Sequence, residues 1–311
     1  NGSKASKKLD SGRCFTIKKF TQNDTDWYQI IKNMMKLKKM IQKNIGFYFN
    51  ILAYVHPKML QRKGFALFCN PFAHKVKPHQ MQFLQKGISE VIEYENYKIQ
   101  TYKWGNGSKK ILFVHGWASH SFRWKKYVEQ LLQQDFTVYA LDAPAHGLSS
   151  GKMIHVVLYA KVIDLFLQSK PDVTAIVSHS IGGFATTYYL NHYKSHNIEK
   201  AIIMGAPGEA SDFFDFYKKT LGLSSKALEI IIKEFELQLG QLPSYFSTAK
   251  FAEHLTIPAL IIHDKGDVAT HHHYSIRLNK HWKNSQLVLT EGLGHDLKSK
   301  EVIQMVVNFV S

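Results

Sequence analysis

The chain has 311 residues, 45% hydrophobic and 13% aromatic, enough for one large domain with an appendage and too apolar for a disordered or fibrous protein. Its formal net charge is +16 at pH 7, but no nucleic-acid-binding motif accompanies the excess, so nucleic acid is not expected as a partner. Cys14 and Cys69 form no CxxC pair, and no 18-residue apolar run or secretory signal pattern occurs, which reads as a cytoplasmic protein in a reducing compartment.

Residues 1–25 are polar and read as a tail. Residues 26–86 read as a basic amphipathic helical extension followed by a connector. Asp24-Thr25-Asp26 offers an N-cap. Trp27, Ile30, Ile31, Met34, Met35, Leu37, Met40, Ile41 and Ile45 then recur at helical spacing, with Lys32, Lys36, Lys39 and Lys43 on the other side. Residues 47–55 are strongly apolar but too few to span a bilayer. Two roles stand open for residues 27–55: an arm packed on the main domain through its Met/Ile/aromatic face, or an interfacial membrane anchor. Pro57, Pro71 and Pro78 mark an irregular connector.

The main domain is expected over residues 87–311. A hairpin turns at Glu95-Asn96. Buried strands are predicted at Ile111-Leu112-Phe113-Val114, Thr137-Val138-Tyr139-Ala140-Leu141, residues 173–177, Ala201-Ile202-Ile203-Met204, Ala259-Leu260-Ile261-Ile262 and Leu287-Val288-Leu289. Helices are predicted at 122–134, 156–168 and 302–310. This alternation implies an α/β fold with a mostly parallel twisted sheet covered on both faces, and a ligand site beyond the carboxyl ends of the strands. Residues 207–254 interrupt the rhythm with aromatic-rich helical segments, too long for a simple connection, and read as a helical cap over that site.

At Ser178-His179-Ser180-Ile181-Gly182-Gly183 a β-rich run stops at a serine and a helix follows. Small residues at 178 and 182 allow the sharp turn on which an exposed nucleophilic serine stands. Such a serine needs a base, an orienting carboxylate and donors for the developing oxyanion. His115-Gly116-Trp117 follows one strand end, so the backbone amides of Trp117 and Ile181 are the expected donors. Asp267, in His263-Asp264-Lys265-Gly266-Asp267, is the expected orienting acid, with Asp264 as its rival. His295, in Gly292-Leu293-Gly294-His295, is the expected base, and Asp296 a weaker alternative acid. The order Ser180, Asp267, His295 suits this architecture. His115, Gly116 and His179 are read as touching substrate. His271-His272-His273 cannot easily converge on one ion, and no metal or other cofactor is expected.

These segments, together with Leu141-Asp142-Ala143-Pro144-Ala145-His146-Gly147-Leu148-Ser149, resemble the α/β-hydrolase-fold serine hydrolases. The resemblance covers about residues 87–311; Ala145 stands where the family pattern usually has glycine. It implies an esterase- or lipase-like enzyme working through an acyl-enzyme. Carboxylic esters with hydrophobic groups are the expected small-molecule substrates. Thioester, acyl-transfer or C–C bond chemistry on the same residues, and a binding module without turnover, are the alternatives.

Overall fold

The computed structural model describes residues 22–311. The expected polar tail, apart from its last four residues, and Cys14 lie outside the described residues. Eight strands form one sheet in the order β1-β2-β4-β3-β5-β6-β7-β8. β1 (Ile88–Tyr94) and β2 (Tyr97–Trp104) are the antiparallel hairpin, and β2 also pairs antiparallel with β4 (Phe136–Leu141). From β4 the sheet continues in parallel through β3 (Lys109–Val114), β5 (Ala175–His179), β6 (Lys200–Met204), β7 (Ala259–Asp264) and β8 (Ser285–Thr290). Every residue of β4, β5 and β7 is buried, which is why these strands read as unbroken apolar runs.

α4 (Lys125–Leu131) and α11 (Lys300–Val310) cover one face of the sheet; α5 (Val156–Ser169), α6 (Ile181–His192) and α10 (His273–His281) cover the other. The helix expected over 122–134 is shorter: a 3-10 turn, Ser121–Trp124, leads into α4. α10 was not anticipated, because its His-rich start hides the apolar period.

The extension is more ordered than its prolines suggested. α1 (Gln22–Val55) runs unbroken through both segments read separately from the sequence and starts ahead of the expected cap, since no proline or glycine stops it there. α2 (Pro57–Phe68) and α3 (Pro78–Leu84) replace the irregular connector. Pro57 and Pro78 each occupy a first helical position, where the missing N–H costs nothing and the fixed φ already suits a helix.

The cap consists mainly of α7 (Ala210–Leu221) and α8 (Ser225–Leu239), with the short α9 (Thr248–Ala252) returning the chain to the body. Extension and cap share one apolar core, in which Phe49, Leu52, Leu60 and Phe65 meet Phe214, Leu221, Ile231 and Phe235. Two glycines set the close approach. A Cβ at Gly46 would overlap the Leu221 carbonyl, and one at Gly64 would lie 2.5 Å from Ile231 Cγ1. Of the two roles open for residues 27–55, packing through the Met face on the main domain is not seen among the described side chains. Among them, it is the C-terminal half of α1 that packs, while Met34, Met35, Leu37, Met40 and Ile41 are exposed.

Candidate active site

Ser180 closes β5 and opens α6 with φ +55° and ψ −126°, a conformation that L-residues rarely adopt and that surrounding bonds must hold. Its N–H donates to the Met204 carbonyl at 2.9 Å, and its own carbonyl accepts from Gly183 N–H at 2.8 Å. Gly182 is required by space, since a Cβ there would sit 2.5 Å from the His115 carbonyl oxygen. Ser178 is tolerated in place of glycine because its buried hydroxyl donates to the Ile202 carbonyl at 3.1 Å.

The structure brings the expected nucleophile, base and acid together. His295 Nε2 lies 3.0 Å from Ser180 Oγ, and His295 Nδ1 lies 2.7 Å from Asp267 Oδ2. Asp267 is buried. Burial pushes its carboxyl pKa up, but hydrogen bonds from His263, His295 and the Thr270 amide outweigh that and hold it well below the usual carboxylate range. Oδ1 accepts from the Ala269 and Thr270 amides at 2.8 and 3.0 Å; Oδ2 also accepts from Thr270 Oγ1 at 3.0 Å and His263 Nε2–H at 3.1 Å.

The rival acids are occupied elsewhere. Asp264 accepts from Gly266 N–H, Leu293 N–H and Thr290 Oγ1, each at 2.9 Å, and so supports the loop that delivers His295. Asp296 pairs with Arg123 and Lys298. His263 and Thr270 are site residues that the sequence reading did not single out. Nothing in their spacing announces them; the turn after β7 folds them onto Asp267.

Trp117 and Ile181 flank Ser180 at the cavity wall. Neither main-chain amide is committed to an acceptor among the described residues. The 12-residue helix α6 starts at this point, and the positive end of its dipole favours an anion there. A Cβ on Gly116 would approach His179 Nδ1 and Ser180 Cβ to 2.8 Å, so the Trp117 backbone passes close to the elbow only because residue 116 is glycine.

The expectation that His115, Gly116 and His179 touch substrate does not fit their placement, because none of the three lines the cavity. His115 is fully buried; Nδ1–H donates to the Gly116 carbonyl at 2.7 Å and Nε2 accepts from Ala143 N–H at 2.9 Å. His179 Nε2–H donates to the His295 carbonyl at 2.7 Å. Burial holds both imidazoles far below the usual histidine range, so they are neutral scaffold. His146 Nε2 similarly accepts from Ala118 N–H at 3.0 Å. Buried Asp142 accepts from Ser121, Leu148 and Tyr102 and holds residues 142–148 against the site. Ala145, where the family pattern has glycine, sits at φ +64°.

Ser180 opens onto a cavity of about 310 Å³ walled by Phe68, Phe213, Phe235, Leu239 and Phe246, with no Asp or Glu among its lining residues. The cap expected from the sequence supplies one wall. The extension supplies another through Leu67, Phe68 and Cys69, which the sequence reading did not foresee. Cys69 is a free, buried thiol whose pKa burial pushes far up, so it behaves as a small apolar group. Among the described residues no three His, Cys, Asp or Glu side chains are grouped to hold a metal ion; His271 and His273 sit together at the exposed start of α10.

Comparison with known proteins places this geometry. The mouse alpha/beta hydrolase domain-containing protein 10 superposes on 71% of this chain and 96% of its own, with a TM-score of 0.53 at 14% identity. The chain has the α/β-hydrolase fold. An esterase from Exiguobacterium antarcticum covers 72% of this chain and 99% of its own length, with a TM-score of 0.57 at 16% identity. The family model described as serine aminopeptidase, S33, matches residues 105–250. In sequence, the chain is 34% identical over 84 residues to a pimeloyl-[acyl-carrier protein] methyl ester esterase of Vibrio campbellii, a match covering 27% of this chain and 32% of that one. The first curated relatives are matched over only 32–40% of their own length.

Proposed function

We propose that this α/β-hydrolase is a serine hydrolase of carboxylic esters with a hydrophobic acyl group. The observation that carries the reading is the line from Asp267 Oδ2 through the His295 ring to Ser180 Oγ, with separations of 2.7 and 3.0 Å, ending at an apolar cavity. Ser180 Oγ attacks the acyl carbon while His295 Nε2 takes its proton. Asp267 keeps the other ring proton on Nδ1 and stabilises the imidazolium. The Trp117 and Ile181 amides bind the oxyanion. As the tetrahedral intermediate collapses, the leaving alkoxide takes the proton from His295. Water, deprotonated by the same nitrogen, then releases the acid and frees Ser180.

The lining chemistry favours an ester over the N-terminus of a peptide. An α-ammonium group entering this cavity would meet no carboxylate and would be desolvated without a partner. The same steps serve a thioester, and only the leaving group distinguishes the two.

The test is labelling by a fluorescent fluorophosphonate, wild type beside Ser180→Ala, with turnover of p-nitrophenyl acetate, butyrate and octanoate and of the matching acyl thioesters. Label and turnover that both disappear in Ser180→Ala, with oxygen esters preferred, support the proposal. A folded wild type that neither labels nor turns over any substrate would make it a binding module instead.

A further inference from the structure

We propose that α1 docks on an anionic lipid surface, lying in the interface with Met34, Leu37, Ile41, Tyr48 and Val55 against the lipid. These side chains are 65, 52, 50, 42 and 70% exposed. At 100° per residue they fall within about 60° of one another around the helix. Lys32, Lys36, Lys39 and Lys43 gather within about 60° on the opposite side. This arrangement of an apolar stripe backed by a lysine face is that of an interfacial helix. No helix among the described residues is long and apolar enough to cross a membrane, so the contact would be peripheral.

Charge identifies the partner. From Trp27 to Ser89 the chain carries eleven Lys or Arg residues and no Asp or Glu. A second copy seated on this stripe would bring two such segments together with no acid on either to pair with them. A bilayer rich in anionic head groups complements both the charge and the apolar face. Nucleic acid would complement the charge alone and leave the stripe in water.

The stripe is held in place by the body. Phe49, Leu52 and Ala53 are buried in the core shared with the cap. Asn50 Nδ2 donates to the Gly222 carbonyl at 3.0 Å, and Asn50 Oδ1 accepts from Ser224 N–H at 2.8 Å. The exposed stripe is centred about 90° round the same helix from these buried side chains, and α2 meets it at Tyr48, whose hydroxyl lies 3.6 Å from Met59 Sδ and 3.4 Å from Lys63 Nζ. Docking would set the start of α2, the helix whose far end supplies the Leu67–Phe68 wall of the cavity, one residue beyond the stripe.

The experiment uses the full chain and sedimentation with vesicles of phosphatidylcholine alone or mixed with phosphatidylglycerol. The expected result is partitioning at least about tenfold stronger onto the mixed vesicles at low salt, weakening as salt rises. Met34→Ser/Leu37→Ser/Ile41→Ser and, separately, Lys32→Glu/Lys36→Glu/Lys39→Glu should each lower it about tenfold or more, at an unchanged unfolding transition. No partitioning at low salt overturns the proposal, as does partitioning that neither variant alters. So does a dimer that the Ser variant dissociates while vesicles bind neither form. Tight RNA binding that the Ser variant leaves intact, without vesicle binding, also overturns it.

Discussion

Asp267→Asn separates positioning of His295 from mere presence of the site. Both carboxylate oxygens receive only donors: two backbone amides on Oδ1, and His295 Nδ1–H, His263 Nε2–H and Thr270 Oγ1–H on Oδ2. The amide NH₂ of Asn is least disruptive at the Oδ2 position, because Thr270 can rotate its hydroxyl and His295 can change tautomer. That change puts the ring proton on Nε2, facing Ser180, and the base can no longer accept. If the proposed function holds, turnover should fall by about 10⁴-fold, the size of effect known for amidation of the triad aspartate in serine proteases. Stability should fall by about 2–4 kcal/mol, as charge-assisted buried bonds are lost. The folded pKa of Asp267 lies below the unfolded value near 4, so its contribution is present above about pH 4 and is lost as pH falls through the folded value. The gap between wild type and variant should therefore be widest near pH 7 and narrow towards pH 2. The assay is kcat on p-nitrophenyl butyrate with urea unfolding at both pH values. A folded variant within tenfold of wild-type kcat would refute the positioning argument. Asp296→Asn, which leaves His295 untouched, serves as the control.

Ala145→Gly relieves a left-handed alanine that costs about 1–2 kcal/mol, partly offset by the freer unfolded chain. A gain of about 0.5–1 kcal/mol in urea unfolding is expected, and a loss would count against strain at this turn. Gly64→Val drives a side chain into Ile231 and should cost about 2–3 kcal/mol, with faster proteolysis between extension and cap; unchanged unfolding would mean that this contact is loose. Leu67→Trp adds bulk inside the cavity, so the octanoate-to-acetate ratio of kcat/KM should drop by about tenfold while acetate turnover holds. A parallel drop for both esters would remove Leu67 from the acyl wall. Buried His115 and His179 have folded pKa values far below the unfolded value near 6.5, so the unfolded chain binds more protons and stability falls as pH drops below about 6.5. Each can contribute up to about 1.4 kcal/mol per pH unit, and equal unfolding midpoints at pH 7.5 and 5.5 would show that these rings are not neutral scaffold.

The sequence by itself determined the strand rhythm, the elbow at Ser180 and the order of Ser180, Asp267 and His295. Each of these depends on local chemistry: apolar runs of strand length, small residues where backbones must pass close, and polar residues placed at strand ends. Its punctuation misled where one residue type serves two purposes. Pro57 and Pro78 read as breaks, yet a proline at the first position of a helix is a start signal. The sequence favoured Asp267 over Asp264, three residues apart, and the tertiary structure supplies the physical reason: the turn after β7 aims one carboxylate at His295 and the other at Leu293. It also turned His115 and His179 from substrate contacts into neutral scaffold, and added His263 and Thr270 to the site. Most of all, it decided that the N-terminal extension is part of the pocket. Leu67 and Phe68 precede Ser180 by more than a hundred positions. Their place beside it depends on the fit of Gly46 and Gly64 against the cap, a long-range packing that no local pattern encodes.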